Sequence, residues 1–318
     1  MQPIFSMKVW SLNETIRIRK PVATIGTFDG VHRGHRFILE QLKNNAEAHG
    51  GESVVVTLWP HPRLILNKDV ELFRLLHTRE EKIRELGKSG IDHLVMIPFS
   101  RRIASLTACD FTREFLVERL GVNILLLGYD NRFGRDRKGD PEGLALCAEK
   151  HNFRIEQLPE FQSEFGRISS TAIREAIQEG RLQDASDMLG YRYYLSGHIV
   201  EGNHIGREMG YPTANIHPED PYKLIPMNGV YAIRAEIGGQ VAGGMLNIGF
   251  RPTLDSASAV KTIETHLFGM DGDFYNEKIV IHFVKRVRDE MKFSGLEALK
   301  KQLDKDKIQI QELLSSII

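Results

Sequence analysis

Gly26-Thr27-Phe28-Asp29-Gly30-Val31-His32-Arg33-Gly34-His35 follows a short apolar run at 21–25 and precedes a helical pattern at 36–49 that stops at Gly50-Gly51. Strand, glycine-rich turn and helix, in that order, form the place where an α/β sheet binds phosphate groups. The turn is not a GxxxxGK[ST] loop, because neither lysine nor hydroxyl follows Gly34. It offers imidazoles instead. His32 and His35 stand about one helical turn apart, with Gly34 between them so that a ligand can approach the backbone. Both rings could donate to phosphate oxygens, with N–H groups of the helix N-terminus adding to them. A metal-binding pair and a plain solvated turn stay open beside this reading.

Working outward, strands and helices alternate to about residue 160. Residues 53–58 (SVVVTL) are continuously apolar, as a parallel strand buried on both faces requires. Further strands are expected at 94–98, 122–127 and 153–158, and helices at 78–86, 107–120 and 139–150. This order predicts a doubly wound, Rossmann-like sheet whose ligands sit beyond the strand C-terminal ends. His61, in Trp59-Pro60-His61-Pro62, falls at such an end, and so does Asp130, in the glycine-bounded stretch 128–134. Arg167-Ile168-Ser169-Ser170-Thr171 precedes a helix at 172–179. Ser170 or Thr171 reads as a helix cap, or as part of a triphosphate clasp with Arg167 and Arg174 neutralising charge.

After Gly190 the pattern changes to short strands at 195–200, 229–237, 240–248, 261–268 and 278–287. With a closing helix at 295–317, they suggest a small antiparallel barrel. The stripe Leu296, Leu299 and Leu303 would pack that helix on the barrel. A domain boundary is expected between residues 186 and 187. Gly202, Gly206, Arg207 and Gly210 line a glycine-rich stretch that could face phosphates. Pro212, Thr213 and Asn215 follow it, and the two polar side chains point the same way in an extended segment, where their oxygens could hold Mg²⁺. A polar turn is the simpler alternative. Glu264 shares a strand face with His266, opposite Ile263, Thr265 and Leu267. It is a candidate general base if that face lines a cavity, and an exposed strand acid otherwise.

Composition narrows the class. Forty-two basic residues balance 42 acidic ones across 318, so no overall field points to nucleic acid or anionic lipid. Residues 1–4 are not followed by a long apolar run, and no leader or membrane span is expected. Cys109 and Cys147 fall in predicted helices without framework spacing, so reduced thiols in a cytoplasmic protein are expected.

The motifs together carry a resemblance. GTFDGVHRGH, TLWPHP, GYDNRFGRDRKG and RISSTAIREAIQEG resemble, in order and spacing, the motifs of nucleotidyltransferases that include bacterial FAD synthetases. Trp59 and Asn131 depart from the residues usual there, which are small polar or acidic and aromatic respectively. The resemblance implies that His32 and His35 stabilise the α-phosphate of ATP and that Asp130 lies on the flavin side. It also implies that Arg167, Ser170 and Thr171 hold the triphosphate. The second half, with GxxxGRxxGxPTANI, NGVYA, NIGFRPT, IETHLF and RVRDEMKF, is similar to the riboflavin kinase module. That likeness implies a Greek-key barrel, Mg²⁺ and ATP phosphates on Thr213 and Asn215, and Glu264 as base on the ribityl 5′-hydroxyl. Both halves together imply the prokaryotic bifunctional riboflavin kinase/FAD synthetase family, with ATP, riboflavin and FMN as its small-molecule partners. A flavin-binding protein of the same fold without turnover is the rival reading.

Overall fold

A computed structural model describes residues 6–66, 72–135, 138–201, 210–251, 260–270 and 274–316. By chain contacts it divides into two units, residues 2–169 and 170–318. The first is a six-stranded sheet with every pairing parallel. Its strands are β1 (Lys8–Ser11), β2 (Pro21–Ile25), β3 (Glu52–Trp59), β4 (His93–Pro98), β5 (Ile124–Leu127) and β6 (Arg154–Gln157). They lie in the order β1-β4-β3-β2-β5-β6. Strand order reverses at β2, which has β3 on one side and β5 on the other, and that reversal opens a crevice at their C-terminal ends.

The apolar runs behave as parallel strands must. Ala23, Ile25, Val54, Val56, Leu125 and Leu127 face one layer, while Val22, Val55, Ile124 and Leu126 face the other. Helix α1 (Arg33–Ala48) covers the second layer with Leu39, Leu42 and Ala46, joined by Leu86 of α3 (Arg79–Gly87). Short helices α2 (Pro62–Leu66), α4 (Arg101–Ala104) and α5 (Ala108–Phe111) and the longer α6 (Pro141–His151) complete the unit.

Three expectations for this unit change. The helix expected over 107–120 is capped by Thr107 as foreseen, but α5 lasts one turn and passes into a π-helical segment, Thr112–Val117. Strand β1 is an edge strand that the 21–25 pattern did not lead back to; Lys8, Val9 and Ser11 are exposed and only Trp10 is buried, so it carries little apolar signal. The two cysteines are not reduced: Cys109 of α5 and Cys147 of α6 form a disulfide across 38 residues. Their pairing is a property of the packing between α5 and α6, on which sequence spacing is silent.

The second unit opens with α7 (Ser170–Gln178) and α8 (Leu182–Leu189), then a closed antiparallel barrel in the order β10-β11-β8-β7-β12-β9. The strands are β7 (Tyr194–Val200), β8 (Ala214–Pro218), β9 (Gly229–Ile237), β10 (Gln240–Arg251), β11 (Val260–Leu267) and β12 (Lys278–Arg288). Tyr231, Ile233, Leu246, Ile248 and Ile263 fill the interior. Helix α9 (Leu296–Ser315) packs outside on Val230, Ala232 and Met245 through Ile310 and Leu314. Leu303 joins that packing, but Leu296 is exposed, so the buried stripe starts further along the helix than expected. Asp306 lies within the stripe at 1% exposure because Arg288 of β12 meets it through three N–H···O contacts of 2.7–3.1 Å.

Helices α7 and α8 belong physically to the barrel unit. The Met227 N–H donates to the Ile177 carbonyl at 3.3 Å, and Leu182, Ala185, Met188 and Leu189 are buried. A fragment of residues 170–318 is therefore expected to melt about 5 °C or more above one of residues 187–318, which loses most of that apolar face. Differential scanning calorimetry of both fragments checks this, and equal melting temperatures would show that the two helices add nothing.

Candidate active sites

The first site is the turn between β2 and α1, where the strand order reverses. Its backbone is strained: Phe28, Gly30 and Val31 have φ of 46°, 88° and 35°. A β-branched residue at positive φ is an outlier, and such strain persists only where the surroundings impose it. They do so through four side chains. Asn131, beyond β5, donates from Nδ2 to the Ile25 carbonyl at 2.7 Å. Lys82 Nζ donates to the Thr27 carbonyl at 2.8 Å. The Asp29 carboxylate accepts N–H groups of Leu76 and His77 at 3.2 and 3.1 Å, and Arg36 Nε donates to the Val31 carbonyl at 3.3 Å.

Lys82 reaches the turn because α3 starts where it does. Thr78 and Glu81 form a reciprocal capping box, which points Lys82, four residues on, beneath Thr27. The ammonium is fully buried and lies 5.0 Å from the Trp59 ring centroid. Burial lowers its pKa to about 8, with Asp29 pulling the other way. Neither Lys82 nor this use of Trp59 and Asn131 is visible in the sequence, because each is a contact between elements far apart in the chain.

Helix α1 starts with His32 as its cap, whose Nδ1 accepts the His35 N–H at 3.3 Å. Nδ1 being an acceptor, the proton of the neutral ring sits on Nε2. The His32 and His35 rings stack at 3.6 Å between centroids and 14° between planes, and Phe28 backs His35 at 5.1 Å. Gly34 lies on the His32 ring, where a Cβ would come within 3.4 Å. Among the described residues His35 Nδ1 is buried without a hydrogen-bond partner, a cost of about 1–3 kcal/mol that native structures rarely keep without a use. Burial, then the charges of His32, Lys82 and His77, hold the His35 pKa well below its usual value. The stacked imidazole pair at the start of α1 can donate to an anion.

The structure thus brings Gly26, Phe28, Asp29, Gly30, His32, Gly34 and His35 together, and gives Asp29 the work of holding the turn and Phe28 that of backing His35. His61 is buried at the end of β3, where its Nδ1 accepts the Arg63 N–H at 3.1 Å. Asp130 is exposed just past β5, and Arg167 is exposed near the end of the same unit. Ser170 is the first residue of α7, so the cap position falls on Ser169 rather than on Ser170 or Thr171. Thr171 is exposed and Arg174 is buried.

The second site lies on the outer face of the barrel. Glu264 of β11 stands opposite Asn215 of β8 on one side and Asn247 of β10 on the other. Directly opposed residues share a face with Cβ atoms about 5 Å apart, so one carboxylate lies between two carboxamides. Asn247 is absent from the sequence reading because only the register of β10 on β11 puts it there. His266, two residues along the same face, lines a cavity of about 250 Å³ with Gly210, Pro212, Phe268, Lys307 and Gln311. Its Nδ1–H donates to the Pro212 carbonyl at 2.9 Å. Tyr211 donates to Asp304 of α9, and burial, then that carboxylate, raises its pKa to about 12. These two contacts fix the backbone on either side of Pro212, just ahead of the exposed Thr213. Gly202, Gly206 and Arg207 lie outside the described residues. The oxygens of Thr213, Asn215 and Glu264 are the hard donors that Mg²⁺ prefers.

A protein-family model described as FAD synthetase matches residues 15–172, and one described as riboflavin kinase matches 189–314. The chain is 36% identical over 292 residues to the bifunctional riboflavin kinase/FMN adenylyltransferase of Escherichia coli (strain K12), covering 92% of each. It is 35% identical to the protein of that name from Bacillus subtilis (strain 168), covering 91% of this chain and 90% of the relative. The chain belongs to this bifunctional family. A solved structure described as a macrolide-efflux protein from Streptococcus pneumoniae shares the architecture, with a TM-score of 0.86, 30% identity, and coverage of 95% and 98%. Among the described residues no helix is long and apolar enough to cross a membrane. In the family's terms the β2–α1 turn lies in the FAD synthetase half and the Asn215–Glu264–Asn247 row in the riboflavin kinase half.

The lowered pKa of His35 has a measurable consequence. Histidine in an unfolded chain titrates near 6.5, and His35 titrates lower when folded. Below about pH 6.5 the unfolded chain therefore binds the extra proton, and stability of the sheet unit is lost as pH falls from there toward the folded value. Both tryptophans, Trp10 and Trp59, belong to this unit, so urea titrations followed by tryptophan fluorescence report it. Their midpoint should fall between pH 7 and 5, and His35→Gln should flatten the decline; an equally steep decline in the variant would place its origin elsewhere.

Proposed function

We propose that the barrel unit transfers a phosphoryl group from ATP to the 5′-hydroxyl of riboflavin, and that the sheet unit transfers AMP from a second ATP to the resulting FMN, releasing pyrophosphate. The observation that carries this reading is the fall of two family models, one per reaction, on two separately packed units. The functional boundary is placed between residues 186 and 187, and the setting in the cytoplasm.

In the adenylyl transfer the FMN phosphate is already an anionic nucleophile. Its oxygen attacks the α-phosphorus of ATP, the bond to pyrophosphate breaks, and no base is required. What the protein supplies is position and charge stabilisation. His32 Nε2–H and the His35 ring act on the α-phosphate oxygens, and Arg167 acts on the remaining phosphates. Asp130 and its neighbours past β5 take the flavin side. A site of imidazole and arginine, with Asp29 already engaged by backbone, fits two anionic substrates.

In the kinase reaction a neutral hydroxyl must lose its proton, and Glu264 accepts it. Asn215 and Asn247 flank Glu264 and orient the carboxylate and the substrate. Thr213 and Asn215 would hold Mg²⁺, which when bound neutralises charge on the ATP phosphates. The cavity beside His266, with Gly210 and Lys307 in its wall, supplies adjoining space for a ligand.

Incubation with riboflavin, ATP and Mg²⁺, followed by chromatography of the flavins, should give FAD. Unchanged riboflavin would favour the rival reading of a binder without turnover, and FMN alone would leave only the kinase. Glu264→Gln should cut FMN formation by roughly 10²–10⁴ while sparing FAD formation from supplied FMN. The reciprocal variant, His35→Ala, should cut kcat for FAD formation by about 10²–10³ with a smaller effect on ATP binding, and leave riboflavin phosphorylation intact. Equal loss of both activities in either variant would overturn the division of roles.

A further inference from the structure

Cys109 and Cys147 touch neither site, yet they join the two supports of one. The stretch 128–135 past β5 is pinned at three points to α5 and the turn just before it. The Arg135 N–H donates to the Leu106 carbonyl at 2.9 Å. Gly134 lies so close to Ala108 that a Cβ would come within 2.5 Å of its nitrogen. The Phe133 ring meets Phe111 edge-on at 5.7 Å. The same stretch is tied to α6, because Arg132 pairs at 3.6 Å with Asp140, whose carboxylate caps that helix on the Gly143 N–H at 2.8 Å. Helix α5 spans only Ala108–Phe111 before the π-helical segment, too short to hold its shape without outside support. The core supplies part of that support through Ala108 and Phe111, and the disulfide adds a covalent tie to α6.

The chemistry around the sulfurs suits exchange. Cys109 is half-buried and Cys147 is buried, and a ring nitrogen of His151, one turn beyond Cys147, lies within 4.8 Å of both. An imidazole at that distance favours the thiolate that leaves when a disulfide is attacked.

We propose that Cys109–Cys147 is a reversible thiol–disulfide site that sets the grip of residues 128–135 on FMN, with a dithiol reductant as co-reactant. The direction of the effect rests on the flavin-side reading of Asp130 given above. One thiolate of the reductant attacks Cys109 Sγ, the Cys109–Cys147 bond breaks, and Cys147 leaves as a thiolate that takes a proton from protonated His151 or water. The second thiol of the reductant then displaces Cys109, which leaves as a thiol while the reductant closes to its own disulfide. Two electrons and two protons pass to the protein. In the dithiol state α5 loses its fastening, and the stretch that stands on it becomes looser.

The test uses the full chain equilibrated with reduced or oxidised dithiothreitol. Alkylation and intact mass count the thiols, and Michaelis constants for FMN and ATP are measured in each state, with riboflavin phosphorylation as internal reference. Reduction should expose both thiols and raise KM for FMN by about 3- to 10-fold, the scale on which loosening one binding loop acts. Reoxidation should restore it, and phosphorylation should not change. The double variant Cys109→Ser, Cys147→Ser should hold the reduced value in both buffers. A rise in KM for ATP instead of FMN would keep the redox control and remove the flavin-side reading of this stretch. Identical constants in the two states, two free thiols in air-equilibrated protein, or stoichiometric zinc on Cys109, Cys147 and His151 would each overturn the proposal.

Discussion

The sheet unit depends on keeping one unfavourable turn in place. Phe28 and Val31 pay for left-handed backbone that only glycine adopts easily. The compensation comes from two charged groups costly to bury, the Asp29 carboxylate and the Lys82 ammonium, and from the half-exposed Arg36 guanidinium. Each satisfies backbone in or against the turn, and Lys82 and Asp29 also offset one another. Removing one partner would leave the other charged and uncompensated, which is why such groups act as a set.

The barrel unit solves a different problem, the alignment of short polar side chains on a closed surface. Closure fixes register, and register puts Asn215, Glu264 and Asn247 in one row. A slip of one residue in β11 would turn Glu264 into the interior and Ile263 out of it. The ion pair of Arg288 with Asp306 and the contact of Tyr211 with Asp304 tie α9 to this surface. Arg288 and Asp306 of the closing motifs thus serve packing.

What the sequence disclosed follows from what each signal encodes. The apolar runs at 21–25, 53–58 and 122–127 announced buried parallel strands because burial on both faces leaves no polar position, and they correspond to β2, β3 and β5. The turn and its histidines were legible because glycines and imidazoles are contiguous there. Strand β1 was not, since three of its four residues are exposed. Nor were Lys82, Asn131 or Asn247, whose positions depend on helix phase or strand register between distant segments. The disulfide was hidden for the same reason: α5 meets α6 only because both pack on the same layer of the sheet. Leu296 misled because a leucine at helical spacing near a helix start need not share the face buried further along.

Strand order also sets when each unit can fold as the chain emerges from the ribosome. The sheet is complete at β6, whose last residue is Gln157, and β2 at its centre is available early. The barrel cannot close so soon. Strand β12 lies between β7, the first barrel strand made, and β9, so the ring stays open until Arg288 has been synthesised. Until then β7 and β9 each present an unpaired edge, and the outer face of β9 and β10 waits for α9 to cover it. Synthesis at about 5–20 residues per second makes that interval of the order of ten seconds. During it the nascent chain carries one finished enzyme half and one set of open strands, which makes the barrel the part exposed to misassembly.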